Sequence, residues 1–205
     1  MPNKSIHQDI ESIRELMDRS VRFVSLSGLS GILAGVYAIV GAAFAYYEID
    51  AGDAVLNLEY YNNRIPVVKN LFIIAGIVLV ASLATGWLFS YRKSKQLKTK
   101  MWDSTSKRLL INLGVPLVVG GVFSILLVDH GYYDLVASSV LLFYGLALIN
   151  ASSNLYDEVR YLGYCQLLVG ILAGVIPGFG LYFWTVGFGF LHVLYGGLMY
   201  SKYDR

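Results

Sequence analysis

Few side chains in this sequence have the chemistry to act, and they are scattered. His192 is the one titratable group well inside an apolar run, eleven residues beyond Leu181. At a helical rise of about 1.5 Å per residue it sits near mid-membrane. Its spacing with Gly189 and Gly196 turns it toward other helices. A histidine so placed serves as a proton-sensitive or ligand-binding group, or, more commonly, as a hydrogen-bonding partner for a neighbouring helix. The other strongly polar groups at depth are the amides Asn112, Asn150 and Gln166. Together with His192 they would line a small polar cavity or act as interhelical glue. Asn112 lies four residues before Pro116. Proline has no amide to offer the Asn112 carbonyl, so a kink or a polar weak point is expected there.

Enzyme chemistry finds little support. Gly28-Leu29-Ser30-Gly31 with His192 resembles the GxSG serine and the histidine of rhomboid proteases. The likeness covers four residues and one histidine, puts the serine in the first span instead of the fourth, and lacks the accompanying arginine-containing loop motif. No phosphate loop or metal-ligand spacing is present. Cys165 is the single cysteine, which excludes an internal disulfide and a CxxC motif. The other histidines, His7 and His130, offer no paired haem ligand at the depth of His192. The expectation is therefore a non-catalytic protein without cofactor or metal.

The elements that must position these residues are membrane helices. Hydrophobic residues make up 56% of the 205 and charged residues 15%, with mean hydropathy +0.57. Uncharged stretches run over Phe23 to Tyr47, Asn70 to Tyr91, Leu109 to Val128, Leu135 to Tyr156 and Tyr161 to Ser201. A bilayer crossing needs about 20 helical residues. The last stretch is twice too long, and Pro177-Gly178-Phe179-Gly180 divides it. An all-α, polytopic bundle of six transmembrane helices follows, with spans at about 23–47, 67–91, 109–128, 135–156, 159–176 and 181–201. A domain of 23–201 is preceded by a cytoplasmic lead, 1–22, and followed by a tail, 202–205. In the lead, Ile6, Ile10, Ile13 and Met17 recur at helical intervals among charges, which predicts an amphipathic helix. Asp, Glu, Lys and Arg sit only at or beyond the ends of the predicted spans, which weakens the case for ion-coupled transport.

Fourteen of the sixteen Lys and Arg fall on one side of this topology and only Arg64 and Lys69 on the other. The positive-inside rule puts both termini in the cytoplasm. The longest outer connection, Glu48 to Pro66, carries Glu48, Asp50, Asp53 and Glu59. These match no metal-loop spacing and read as a solvated loop. Tyr46, Tyr47, Tyr60 and Tyr61 near one boundary, and Trp87, Tyr91, Tyr156, Tyr200 and Tyr203 near the other, read as an aromatic belt. The basic run from Arg92 to Arg108 is a topology determinant and a contact for anionic lipid; it is too short to argue for nucleic-acid binding.

The hexapeptide GILAGV occurs at Gly31 to Val36 and again at Gly170 to Val175. Each copy contains a GxxxG pair, Gly31/Gly35 and Gly170/Gly174, the spacing that lets helix backbones approach in lipid. A second small face, Ser30-Ala34-Ala38-Ala42, flanks the first pair and suits a helix held between two neighbours. A shift of 139 residues relates the two copies, and a shift of 51 relates Tyr144-Gly145 to Tyr195-Gly196. These offsets fit three parallel helical hairpins, although packing vocabulary shared by all membrane helices accounts for the same matches.

RFVSLSGLSGILAGVYA, from Arg22 to Ala38, and LLFYGLALINAS, from Leu141 to Ser152, resemble segments of a family of small six-span bacterial inner-membrane proteins with no assigned activity. The resemblance implies a fold and a location and no mechanism. The functional expectation is a membrane subunit, regulator or sensor that acts through helix packing. Its partners would be membrane lipids and a second copy or another membrane protein. The alternative is a channel or facilitative transporter for a small solute, with a polar path near Asn112, Asn150, Gln166 and His192.

Overall fold

The computed structural model describes residues 27–55, 64–96 and 104–203. The predicted amphipathic lead, 1–22, lies outside them, as do part of the basic run and the last two residues of the tail. The described residues contain helices and turns and no strand. In chain order the elements are α1 (Gly28–Val55), α2 (Arg64–Gln96), α3 (Ser104–Asp129), a 3-10 turn (Tyr133–Leu135), α4 (Val136–Ala151), a second 3-10 turn (Ser152–Asn154), α5 (Asp157–Val175), α6 (Gly180–Trp184), a π-helical segment (Thr185–Phe190) and α7 (Leu191–Tyr203). The last three run on from one another as a single rod.

Five helical stretches are long and apolar enough to cross a bilayer: Gly28–Ile49, Val67–Gln96, Thr105–Asp129, Tyr133–Ala151 and Gly180–Tyr203. This is the composition of a membrane protein. Helix α5 falls short on apolarity, for Asp157, Glu158 and Arg160 open it and Gln166 sits in its middle.

Where the sequence predicts an outer loop from Glu48, α1 instead continues to Val55. A helix needs no break at the edge of its apolar part, because its backbone bonds are satisfied within the segment. Asn70 Nδ2 of α2 donates to Glu48 Oε2 at 3.0 Å and ties the extension down. The two short connections are tight turns. Each contains a glycine with positive φ, Gly131 at 79° and Gly178 at 86°, a conformation that costs other residues dearly.

The helices form two groups of three. Helix α1 lies between α2 and the last rod, and α4 lies between α3 and α5. The rod joins the groups through contacts with α4 and α5, whereas α2 and α3 share no substantial contact. The two GILAGV copies serve different members of this arrangement. A Cβ at Gly31 would lie 3.1 Å from Gly196 Cα, and one at Gly35 would lie 2.6 Å from the Gly189 carbonyl oxygen, both on the last rod. A Cβ at Gly170 would meet Leu142, and one at Gly174 would lie 2.9 Å from Ser138 Oγ, both on α4. Ala38 and Ala42, from the second small face of α1, are buried, and Gly41 on the α2 side faces Val78 and Ile74.

Serines fasten the second group. Ser138 Oγ donates to the Gly170 carbonyl across α4 and α5, and Ser124 Oγ of α3 meets Ser139 Oγ of α4 at 3.1 Å. At the end of the bundle near the chain termini, Tyr156 and Tyr203 stack with centroids 4.2 Å apart. Tyr156 is buried and so is a packing residue instead of a belt residue. Tyr46, Tyr47 and Trp87 are well exposed.

Candidate functional site

Within the last rod one helical turn is widened. The Leu191 N–H reaches back five residues to the Val186 carbonyl, and such π segments recur at functional sites. The local sequence TVGFGF permits it, since Gly187 and Gly189 are both buried. A Cβ at Gly187 would collide with Leu141 and fall 2.6 Å from Gln166 Oε1. Only glycine fits where α4 and α5 press on the rod.

The widened turn gathers a buried polar network. Gln166 Nε2, from α5, donates to the Gly187 carbonyl at 2.8 Å. His192 Nδ1 contacts the same oxygen at 3.0 Å. A carbonyl only accepts, so Nδ1 carries the proton, and in a neutral imidazole Nε2 is then an acceptor. Tyr144, from α4, supplies the donor, its hydroxyl lying 2.7 Å from His192 Nε2. Three elements thus close on one histidine and one carbonyl. An aromatic cluster sheathes them: Tyr144 and Phe188 have ring centroids 5.0 Å apart, and Phe188 stacks over His192 at 5.9 Å.

Two polar atoms nearby are less well provided. Gln166 Oε1 and Tyr195 Oη are buried and meet no hydrogen-bonding partner among the described residues. Buried side chains in this condition are rare and tend to mark functional positions or internal water.

The four polar residues expected to share one cavity separate into two sites. Gln166 and His192 belong to the network at Gly187. Asn150 Nδ2 instead donates to the Asn112 backbone carbonyl at 2.8 Å. That carbonyl is the one Pro116 cannot satisfy, and α3 continues through the proline from Ser104 to Asp129. The side chain of α4 stands in for the missing amide, which removes the weak point and fastens α3 to α4.

What the first site can do follows from its bonds. Both His192 nitrogens are engaged, so neither offers a lone pair to a metal, and neither pairs with Ser30, whose hydroxyl donates to the Ser27 carbonyl. No grouping of three His, Cys, Asp or Glu suited to a metal occurs among the described residues. The network is a clamp. It holds the widened turn of the last rod against α4 and α5.

One ion pair stands outside the apolar region. Lys202 Nζ and Tyr203 Oη both donate to Glu158 Oε1. Partial burial alone would raise the Glu158 carboxyl, but the hydrogen bonds from Lys202, a backbone amide and Tyr203 outweigh it and hold the group below its ordinary range.

Tyr144 and the π segment have no counterpart in the sequence expectations for this site. The alignment of Tyr144-Gly145 with Tyr195-Gly196 singles out the tyrosine, but as a mark of repetition and not as a partner for His192. The geometry defines an all-helical protein of membrane composition with a buried polar clamp. No protein-family profile, curated protein or solved structure matches the chain.

Proposed function

We propose that the chain is a six-span protein of a bacterial inner membrane, with α5 as its fifth crossing and both termini in the cytoplasm, and that it acts without catalysis as a membrane subunit, regulator or sensor. The observation that carries this reading is the state of α2. None of its most apolar 18-residue window is buried, and among the described residues it packs substantially on α1 alone. Ile77, Val80 and Leu83 project from it exposed. A long helix held on one side only is suited to a second copy or another membrane protein, through van der Waals packing in lipid. The charge division of the sequence supports the orientation, and the resemblance to small six-span bacterial proteins supports the location.

The division of the polar residues weighs against a solute path. Asn150 is turned onto the Asn112 backbone carbonyl, and Gln166 and His192 onto that of Gly187, so the four residues do not form one polar row.

Photocrosslinking in native membranes tests the proposal. A benzophenone side chain at Ile77 or Val80 is expected to give a protein adduct, whose mass separates a second copy from a different partner. The same group at Leu168 of α5, exposed on the other helical group, is expected to give lipid adducts. Lipid adducts alone from all three positions, combined with solute flux in proteoliposomes, would replace this reading with facilitated transport.

A further inference from the structure

The two helical groups separate at the end of the bundle that carries the tight turns, and there they leave a cavity of about 360 Å³. Four elements supply its walls: α1 with Gly41 and Ala45, α2 with Phe72 and Ile74, α4 with Val140, and α6 with Trp184. Small-molecule sites of this kind run from about 300 to 1,000 Å³, mostly apolar with a few placed polar groups. The polar groups here are specific. Asp134 and Tyr133, in the 3-10 turn before α4, join the lining, and among the described residues no Lys, Arg or His contributes to it.

The charged side chain among the described lining residues is the carboxylate of Asp134. Asp134 is exposed, so its carboxylate keeps its water while the chamber beneath is apolar. Glu48 lies beside the lining and not in it, bonded to Asn70. It adjoins Ile49, and its partner Asn70 adjoins Leu71, both of which line the cavity. Aromatic side chains in the lining are Trp184, Phe72 and Tyr133. An aromatic wall beside a carboxylate is how proteins hold organic cations, since the ring face attracts the charge and the alkyl groups enter the apolar space.

We propose that this cavity binds a lipophilic organic cation, its apolar body against Trp184, Ile74 and Val140 and its charge beside Asp134. A lipid acyl chain needs the apolar walls but has no use for the carboxylate rim. An anion would meet Asp134 with no basic side chain among the described lining residues to offset it. The binding does not depend on the chain having a protein partner.

The test uses the full-length protein purified in a neutral detergent, with benzyltriethylammonium as probe and tryptophan emission and thermal stability as readouts. Saturable binding is expected, with benzenesulfonate and tert-butylbenzene at least tenfold weaker. Asp134→Asn, an exposed change that leaves the packing alone, is expected to weaken the cation at least tenfold and tert-butylbenzene hardly at all. Val140→Trp, which fills the chamber, is expected to abolish binding of both. No saturable binding of the cation to the wild-type protein would overturn the proposal. So would equal binding of the neutral probe, or an Asp134→Asn protein that binds the cation as well as wild type.

Discussion

At the residue scale the informative atom is the Asn112 carbonyl. Proline in a helix interior leaves the carbonyl four residues back without its amide, and in hydrocarbon no water replaces it. Asn150 does so from α4. The consequence is a coupling that a double-mutant cycle can isolate. Asn150→Leu alone orphans the carbonyl, while in a Pro116→Ala background the new amide of residue 116 satisfies it. The gain from placing leucine in lipid is common to both backgrounds and cancels. A coupling of about 0.6–2 kcal/mol is expected, the range for interhelical hydrogen bonds in membranes, read from unfolding in mixed micelles. Equal effects of Asn150→Leu in both backgrounds would show that the bond stabilises nothing. Sequence makes the orphaned carbonyl visible, because the proline rule is local. It does not make the donor visible, because Asn150 lies on another helix and nothing in its neighbours marks it.

Elements reveal how far a spacing rule reaches. Gly31, Gly35, Gly170 and Gly174 stand out in sequence because close approach needs small residues at intervals of four, and all four face another helix. The identity of that helix is not written in the spacing. Nor is the π segment: widening a turn changes which carbonyl an amide reaches without requiring any residue type beyond the glycines it tolerates, and so Tyr144 and Gly187 escape notice. The contacts differ in kind as well as in partner. Gly35 abuts backbone, the Gly189 carbonyl and the Val193 amide nitrogen, while Gly174 abuts the Ser138 side chain. Backbone cannot step aside; a serine can rotate, at the expense of its bond to the Gly170 carbonyl. Gly35→Ala is therefore expected to destabilise by about 1–3 kcal/mol, the range for overpacking, and Gly174→Ala by no more than the bond it disturbs, about 0.5–1.5 kcal/mol. Leucine at either position is expected to be worse than alanine. Thermal aggregation of the solubilised variants measures the order. If Gly174→Ala proves as damaging as Gly35→Ala, the two copies of the hexapeptide occupy equivalent seams, which would favour a repeated hairpin over shared packing vocabulary.

For the whole molecule the deciding quantity is the placement of charge relative to the two ends of the bundle. Gly28 at the start of α1 lies against Tyr200 near the end of α7, and Glu158 at the start of α5 meets Lys202; these define one end. The other end carries the turns at Gly131 and Gly178, whose neighbours Tyr133, Gly178 and Gly180 line a common cavity with Ile49 and Leu71. Arg92, Lys93 and Lys95 close α2 at the first end, where basic side chains also complement a helix C-terminus. The energetic preference for keeping such charges in the cytoplasm acts on segments close to the spans, and this short-chained bundle has no long connection to dilute it. With Cys165 replaced by serine, a cysteine at Tyr132 is expected to react with an impermeant maleimide in intact cells, whereas a cysteine at Lys95 is expected to react only after the membrane is opened. Both native side chains are exposed, so failure to label reports the membrane and not burial. Reaction of the two from the same side would break the antiparallel order of α2, α3 and α4 across the bilayer; reaction with sides exchanged would keep that order and refute the charge rule for this chain.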